Sequence, residues 1–364
     1  MNYRLLGNSG LRVSEVALGT MTFGTDWGWG AGRDEARKIY EVFRKAGGNF
    51  VDTASIYTNG SSESIVGELV GPEREAIVLG TKYTLSTTLN QDPNAAGNSR
   101  KTMIQSIETS LRRLKTDYID IFWLHAWDFT TPIEEVLRGL DDLVRQGKVL
   151  YLGISDTPAW IVSQANAIAH LYGWSPFVAT QIEYNLASRT PERELIPMSH
   201  ALDLAILAWS PLAMGILTGK YGRRNGQKAV SGRGEKMELH QFSDRAIEIG
   251  DIVVEMADQL GHEPAEVAIN WLRYKQTIPL LGASDAGQMA SNLQALEWEL
   301  TEEIVGQLDH ASAIDYGFPH EFLPAQRDII FGGFYAEIIN HRKSRSGETK
   351  TGKEYHIDPS RIGN

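Results

Sequence analysis

The sequence predicts a parallel (α/β)8 barrel, the TIM-barrel fold, built as one large domain. Eight short runs rich in Val, Ile and Leu alternate with amphipathic stretches up to about residue 300. Such alternation is typical of parallel strands covered by helices. The fingerprint G-x-G-x-x-G of the open dinucleotide-binding sheet is missing, because Gly28, Gly30 and Gly32 in GWGAGRD have the wrong offsets. Eight repeats without that fingerprint favour the closed barrel.

The eight predicted strands are residues 16–23, 49–54, 76–83, 118–125, 149–155, 177–183, 205–211 and 277–283. Helical periodicity is clearest over 34–48, where Gly47 and Gly48 are expected to end the helix, and over 98–115. Strand and helix recur at intervals of about 30 residues, which is the βαβ pattern.

Three segments lie outside this repeat. The opening YRLLGNSGLRVS, with a turn at Gly7 to Gly10, predicts a β-hairpin that closes the barrel floor. Residues 212–243, after the seventh strand, form a long Gly- and charge-rich loop of the kind often used as a lid. The polar end of the chain predicts a poorly ordered tail. We therefore expect one catalytic domain over 1–340 and a tail over 341–364.

Composition excludes several classes of protein. The 364 residues carry a net charge of −11 with a pI near 5.4, which argues against a nucleic-acid partner. The absence of cysteine excludes disulfides, thiolate metal sites and a cysteine nucleophile. No apolar run approaches the ~18 residues of a membrane helix. We expect a cytoplasmic protein without a membrane partner, whose chemistry comes from Asp, Glu, His, Lys, Tyr or a cofactor.

Four residues that can do chemistry fall near the ends of consecutive predicted strands. Asp52 ends the second strand, Tyr57 lies in the following loop, Lys82 ends the third strand and His125 ends the fourth. Carboxyl ends of parallel barrel strands open onto one face, with neighbours about 4.8 Å apart. Each residue alone is more simply a turn former, a solvated lysine, an interior histidine or a rim aromatic. Their coincidence at one barrel end favours an active site.

The four residue types are suited to acid–base chemistry. A phenol has a pKa near 10, which an adjacent ammonium lowers, so Lys82 is expected to acidify Tyr57. Asp52 would compensate the buried ammonium, and His125 would orient a substrate carbonyl oxygen. Tyr57 is then the acid for a developing alkoxide, or the base in reverse. Because the set contains no good nucleophile, a hydride donor is expected to supply the electrons.

The sequence resembles the aldo-keto reductases over nearly 300 residues, from RLLGNSGLRVSEVALGTMTFG to GASDAGQMASNLQAL. The motifs VDTASIY, GTKY and WLHAWD match the catalytic tetrad of that family at Asp52, Tyr57, Lys82 and His125. This resemblance implies an (α/β)8 barrel that binds a nicotinamide cofactor across its carboxyl-end face and needs no metal. It also implies an NAD(P)H-dependent oxidoreductase acting on a small aldehyde, ketone, sugar or the corresponding alcohol.

The resemblance further implies which residues bind the cofactor. Trp209 matches the aromatic residue that stacks on the nicotinamide ring, and Asp156 stands where the family usually has Asn. The other implied positions, from the nicotinamide to the adenosine end, are Ser155, Gln181, Ser210, Pro211, Leu212, Gly215, Lys220, Gly282, Ala283, Ser284, Gln288 and Asn292.

Cofactor choice depends on a departure from the family pattern. Many relatives carry Arg or Lys at one of the positions of Ser284 and Asp285 to bind the 2′-phosphate of NADP(H), whereas a carboxylate would repel it. The potassium-channel beta subunits have a similar Ser-led segment and bind NADP(H) with an arginine from the long loop. Arg223, Arg224 and Arg233 are the corresponding candidates here. We expect NADP(H), with NAD(H) as the alternative.

The substrate pocket is less well defined by the sequence. Trp27 and Trp127, in loops after the first and fourth strands, are expected to line its mouth, and FPHEFL (318–323) to fold over it. Asp26 and Asp128 could bind substrate hydroxyls, although loop carboxylates without that role are more common. The sequence predicts neither the physiological substrate and reaction direction nor the oligomeric state.

Two other functions remain open. The chain could be a non-catalytic NADP(H)-sensing subunit that resembles the channel beta subunits. It could also be an aldolase that forms a Schiff base on Lys82, although pairing with Asp52 argues against this because a charged ammonium is a poor nucleophile.

Overall fold

A computed structural model of the chain describes residues 1–87, 92–222 and 243–338. The strands of these residues are β1 (Tyr3–Leu5), β2 (Arg12–Ser14), β3 (Ala17–Gly19), β4 (Phe50–Asp52), β5 (Val78–Tyr83), β6 (Ile119–Leu124), β7 (Val149–Ser155), β8 (Phe177–Glu183), β9 (Ala205–Trp209) and β10 (Ile278–Leu281). Strands β3 to β10 pair in parallel and close into a barrel in which β10 lies between β9 and β3. Each predicted strand contains one barrel strand, so the (α/β)8 barrel is confirmed.

Helices cover the outside of the barrel. They are α1 (Arg33–Lys45), α2 (Ser61–Val70), α3 (Arg100–Leu114), α4 (Ile133–Arg145), α5 (Ala159–Tyr172), α6 (Leu195–Ala201), α7 (Asp244–Leu260), α8 (Pro264–Tyr274), α9 (Ala286–Gln294), α10 (Glu302–Ala311), α11 (Phe322–Ala325) and α12 (Arg327–Ile330). The predicted helices correspond to α1 and α3, and α3 begins where the Ser99 side chain accepts a hydrogen bond from the N–H of Thr102.

The main apolar core lies between the strands and this helical layer. Every residue of β5 and β6 is buried, as expected for parallel strands with both faces covered. Helix α1 contributes Ile39 and Phe43, both 0% exposed, to the same core. The helices thereby fix the positions of the strand ends that carry the candidate site.

A second, smaller core fills the barrel interior. Strands β1 and β2 form the predicted antiparallel hairpin, and Leu6 and Val13 from it pack with Phe50 and Ile121 of the barrel strands. Both Leu6 and Val13 are 0% exposed. The hairpin therefore closes the barrel floor, as the sequence predicted, and leaves the carboxyl-end face open.

Parts of the sequence prediction fall on residues that the structure does not describe. The long loop after β9 is described only up to residue 222, and the arginine candidates Arg223, Arg224 and Arg233 lie outside the described residues. The predicted tail, 341–364, lies outside them as well, so the domain boundary at 340 stays a prediction. Within the described ranges, none of the helices has the length and apolarity required to cross a bilayer.

The hairpin turn supplies a test of how the floor is held. Gly7 has φ of 52°, and a Cβ there would lie 2.2 Å from the carbonyl oxygen of Val178. We expect Gly7→Ala to lower the free energy of unfolding by at least about 2 kcal/mol, through backbone strain and steric overlap. Urea unfolding measures this change.

Gly10 in the same turn is the matched control, since a Cβ there would have no atom within 4 Å. Gly10→Ala should stay within about 1 kcal/mol of the wild type. Equal effects of the two substitutions would contradict the close packing of the turn against the barrel floor.

Candidate active site

The four predicted catalytic residues lie at one end of neighbouring strands. Asp52 is the last residue of β4, and Lys82 lies near the end of β5. His125 directly follows β6, and Tyr57 begins a short 3-10 turn, Tyr57–Gly60, after β4. Since β4 pairs with β5 and β5 with β6, the parallel register brings the four side chains to the same face.

Lys82 is the centre of the cluster. Its ammonium forms an ion pair with Asp52, and the side chains of both residues are 0% exposed. It also donates hydrogen bonds to the carbonyl oxygen of Thr53 at 2.7 Å and to the Tyr57 hydroxyl at 3.3 Å. The His125 ring stands edge-on to the Tyr57 ring, with 6.0 Å between centroids. The structure thus brings together all four residues that the sequence singled out.

Burial and pairing act in opposite directions on the ion pair. Burial raises the pKa of Asp52, and the Lys82 ammonium and the side-chain N–H groups of Gln181 and Trp123 oppose that rise. Desolvation favours the neutral amine of Lys82, but attraction to Asp52 and Tyr57 raises the pKa of Lys82 overall. A charged lysine held by a carboxylate and two further groups is therefore the state that the geometry supports.

Tyr57 behaves differently from the prediction. We expected Lys82 to lower the pKa of the phenol below its usual value, but burial raises the pKa of Tyr57 by more than Lys82 lowers it. The sign of the lysine contribution was right and the net direction was wrong, because the sequence does not reveal how far the hydroxyl is removed from water. Tyr57 is consequently protonated at neutral pH.

His125 is neutral at any ordinary pH. Burial, together with the charge of Lys82, lowers the pKa of His125 to about 3. Its Nδ1 is buried and has no hydrogen-bond partner among the described residues. The imidazole can therefore donate or accept a hydrogen bond, but it does not carry a proton as a cation.

The implied nicotinamide positions lie beside this cluster. Gln181, on β8, is 2% exposed and donates from Nε2 to Asp52 Oδ2 at 3.3 Å, and Ser155 at the end of β7 is also buried. Trp209, at the end of β9, is half-buried and donates from Nε1 to Asp156 Oδ1 at 3.1 Å. Burial raises the pKa of Asp156, while the hydrogen bond from Trp209 opposes the rise. The Asp that replaces the usual Asn thus holds the Trp209 ring in place.

The loop after β9 has an unusual backbone. Ser210, Met214 and Gly215 have φ of 52°, 55° and 99°, and the Asn185 side chain donates to the Ser210 carbonyl at 2.9 Å. Among the implied cofactor positions in this loop, Pro211 is buried, Leu212 is half-buried and packs on the apolar core, and Lys220 is exposed. This conformation ends β9 sharply, and Ile216 and Leu217 of the loop pack with Val253 of α7.

The implied adenosine positions surround the start of α9. Asp285 caps this helix, with Oδ1 accepting from the N–H of Gln288 at 2.9 Å, and Gln288 Oε1 accepts from the N–H of Ser284 at 3.0 Å. Ser284, Gln288 and Gly282 are exposed, whereas Ala283 and Asn292 are buried. Ala283 and Asn292 are therefore packed within the protein, and the exposed residues are available to a ligand.

A second carboxylate at the same helix was missed by the sequence analysis. Glu35 of α1 accepts from the N–H of Ala286 at 2.9 Å. The two residues are 251 positions apart, and no local pattern links them. Glu35 also forms an ion pair with Lys38 at 3.0 Å, which offsets its charge, so Asp285 remains the main carboxylate at the start of α9.

The two predicted substrate residues, Trp27 and Trp127, lie in different surroundings. Trp27 donates from Nε1 to Asn59 Oδ1 at 3.2 Å, which holds it against the turn that starts at Tyr57, and its ring lies 5.5 Å from that of Trp29. Trp127 instead packs against the main apolar core.

The carboxylate of Asp128 accepts hydrogen bonds from the N–H groups of Asn98, Thr130 and Thr131 and so stabilises its own loop. At the start of 318–323, Phe318 is 83% exposed.

A cavity of about 300 Å³ lies beside Trp209, lined by Asp156, Thr157, Pro158, Ile182, Glu183, Ser188, Thr190, Pro191 and Leu195. In the described part of the chain, no group of His, Asp and Glu side chains is arranged to hold a metal ion.

The depressed pKa of His125 predicts a pH-dependent stability. An unfolded histidine has a pKa near 6.5, so below that pH the unfolded chain binds a proton that the folded His125 does not take up until about pH 3. Stability from this group is complete above pH 6.5 and is lost as the pH falls, by about 2–3 kcal/mol at pH 4.5.

His125→Gln removes this contribution and leaves the other titrating groups unchanged. In urea unfolding, the stability of the wild type relative to the variant should therefore be lower at pH 4.5 than at pH 7. A difference that does not vary with pH would show that the folded protein protonates His125 normally.

Comparison with known proteins agrees with the geometry. The sequence profile described as the Aldo/keto reductase family matches residues 15–313. A norsolorinic acid reductase of Aspergillus flavus is 37% identical over 333 residues, covering 88% of this chain and 84% of that protein. An aryl-alcohol dehydrogenase [NADP(+)] of Phanerodontia chrysosporium is 37% identical over 338 residues, covering 87% of each chain. A putative aryl-alcohol dehydrogenase of Saccharomyces cerevisiae is 34% identical over 328 residues, covering 86% of this chain and 87% of that protein. The chain belongs to the aldo/keto reductase family and is an NAD(P)H-dependent oxidoreductase.

Proposed function

We propose that this enzyme transfers a hydride between a nicotinamide cofactor and a carbonyl or alcohol substrate, with Tyr57 donating or accepting the proton. The observation that carries the proposal is the position of Lys82, whose ammonium contacts the Asp52 carboxylate and the Tyr57 hydroxyl together. A phenol beside a fixed, charge-compensated ammonium is suited to proton transfer at an oxygen atom.

In the reducing direction, Tyr57 gives its proton to the oxygen of the substrate. Burial keeps the phenol protonated before the reaction, since it raises the pKa of Tyr57. The phenolate left after the transfer faces the Lys82 ammonium, 3.3 Å from the hydroxyl oxygen. In the oxidising direction the same phenolate takes the proton from the alcohol. Lys82 therefore stabilises the charged form that occurs in both directions.

His125 orients the substrate oxygen in this proposal. Because its pKa is lowered to about 3, the imidazole is neutral and offers one N–H as a hydrogen-bond donor. Its ring stands edge-on to that of Tyr57, so both groups border the same space above the strand ends. His125 positions the oxygen while Tyr57 exchanges the proton.

The residues at the open face fit a nicotinamide dinucleotide. Trp209 presents a half-buried ring that Asp156 fixes through a hydrogen bond of 3.1 Å, and Ser155 and Gln181 lie at the adjacent strand ends. Exposed residues suited to the pyrophosphate and adenosine are Lys220, Gly282, Ser284 and Gln288. When bound, the nicotinamide supplies the hydride to the carbonyl carbon or accepts it from the alcohol.

We infer that NADP(H) is the preferred cofactor. The name of the Phanerodontia chrysosporium relative includes NADP(+). The carboxylate of Asp285 acts against a 2′-phosphate at the start of α9, and this is the physical basis of the NAD(H) alternative.

Aromatic aldehydes and alcohols are the substrate class that we propose. Two of the relatives are named aryl-alcohol dehydrogenases. In this chain, the paired rings of Trp27 and Trp29 lie next to the turn that carries Tyr57, where Asn59 holds Trp27. Aromatic walls beside the proton donor favour flat apolar substrates.

The central test is Tyr57→Phe. The substitution removes the hydroxyl and keeps the ring, so we expect turnover of an aromatic aldehyde to fall by at least about 10²-fold. Affinity for NADPH, measured by quenching of tryptophan fluorescence, should change by less than about twofold. Loss of NADPH absorbance in the presence of the aldehyde measures turnover.

Tyr172→Phe is the matched control, because Tyr172 is 59% exposed on α5 and should leave turnover unchanged. Full turnover in Tyr57→Phe would refute the assigned proton donor. Tight NADPH binding by the wild type without turnover of any aldehyde, ketone or sugar in a broad panel would instead support a cofactor-sensing subunit.

Asp285→Asn tests the cofactor preference. Asparagine keeps the helix cap and removes the negative charge. The Kd for NADPH should fall about three- to fivefold relative to the Kd for NADH, because only NADPH carries the 2′-phosphate. Titration with each dinucleotide at low salt measures this ratio, and an equal change for both would place the 2′-phosphate away from α9.

A further inference from the structure

One oxygen of the central carboxylate is not accounted for by the tetrad. Asp52 Oδ2 contacts Lys82 and Gln181, whereas Oδ1 is fully buried and has no complete hydrogen bond within the described ranges. The indole Nε1 of Trp123 is also buried without a hydrogen-bond partner among the described residues, and Trp123 is 0% exposed. A buried acceptor and a buried donor without partners each carry a free-energy cost unless they meet.

These two atoms flank the same point in the barrel. A Cβ built on Gly80 would lie 2.8 Å from Asp52 Oδ1 and 2.9 Å from Trp123 Nε1. Because Gly80 has no side chain, both atoms border the same unfilled space. Trp123 also lowers the pKa of Asp52 as a hydrogen-bond donor, against the larger effect of burial.

A second glycine makes room for the ring. Trp123, on β6, pairs with Lys82 on β5 and with Gly153 on β7. A Cβ on Gly153 would lie 2.1 Å from Cε3 of the indole. The ring therefore fits only because both neighbouring strands have glycine where it lies. Glycine weakens a strand, and a smaller apolar side chain would fill the interior without that cost.

The indole lies between the barrel floor and the active site. Trp123 packs with Leu6, Val13 and Ile121 in the interior core. Its Nε1 borders the space beside Gly80, where Oδ1 of the carboxylate at the end of β4 also lies. Packing alone explains the ring, but it does not explain a buried N–H beside the free oxygen of Asp52.

We propose that Trp123 is a positioning residue for the reaction, whose indole N–H donates to Asp52 Oδ1 and fixes the carboxylate that holds Lys82. This inference rests on the proposed function of the tetrad. With Oδ2 bound by Lys82 and Oδ1 bound by the indole, the carboxylate does not rotate. The ammonium then stays within reach of the Tyr57 hydroxyl. Trp123 itself touches neither substrate nor cofactor.

The proposal predicts a change in the pH profile. The titratable groups that act on the Asp52–Lys82 ion pair or on Tyr57 beside it are Tyr57 itself, His125 after β6 and Asp156 after β7. All of them are kept when only the indole N–H is removed. Without this donor, Asp52 takes up a proton more easily, and the ion pair is lost at a higher pH.

Replacement of Trp123 by 3-benzothienylalanine is the sharpest test, because sulfur takes the place of N–H in a ring of the same shape. We expect kcat to fall about tenfold and the acid limb of the kcat profile to move up by about one pH unit, as for loss of a hydrogen bond to a charged group. The KM for the aldehyde and the Kd for NADPH should stay within about twofold. Trp123→Phe should show the same changes with a lower thermal stability.

Ile121→Ala is the matched control, since it removes apolar contacts from the same strand and the same interior core but no donor. It should lower thermal stability and leave the acid limb in place. An unchanged kcat and acid limb in the benzothienylalanine protein would overturn the role of Trp123. Tyr57→Phe is measured in the same assay. If it lacks turnover while the benzothienylalanine protein is unchanged, the proposed function stands and only the role of Trp123 is refuted.

Discussion

The buried ion pair between Lys82 and Asp52 is the constraint on which the site depends. Removing both charges from water is costly, and attraction between them offsets that cost only when the remaining hydrogen-bonding groups are also satisfied. The Thr53 carbonyl and the Tyr57 hydroxyl accept hydrogen bonds from the Lys82 ammonium. Gln181 donates a hydrogen bond to the Asp52 carboxylate. The pair is therefore possible only inside a structure that holds several strand ends in fixed register.

The barrel provides that register. Asp52 pairs with Gly80, which places Lys82 two residues further along β5 and on the same side of the sheet. A shift of one residue would turn every inward side chain of the strand outward. The hairpin that carries Leu6 and Val13 fills the floor, and the helices bury the other face. Packing distant from the chemistry thus determines where the ammonium stands.

The sequence was sufficient for the strands and for the tetrad because both follow local rules. Strand positions follow from apolar runs, and reactive residues in a parallel barrel lie at the carboxyl ends. The sequence was insufficient where the answer depends on solvation or on distant contacts. The net pKa shift of Tyr57 depends on how deeply its hydroxyl is buried. The hydrogen bond between Glu35 and Ala286 of α9 joins residues that are 251 positions apart. The sequence analysis also missed Trp123, because only the folded structure shows that its ring occupies the space beside Gly80 and Gly153.

The charge states explain why the arrangement suits proton transfer in both directions. With Asp52 ionised, Lys82 protonated and both Tyr57 and His125 neutral, the tetrad carries no net charge before the proton moves. In the reaction that we propose, transfer of the phenolic proton creates one negative charge, which appears beside an ammonium that is already in place. No group has to reorient to stabilise it, and this is the condition under which fixed charges lower a barrier most effectively. Burial, which makes the resting phenol a weaker acid, also strengthens its attraction to Lys82 once the proton has left.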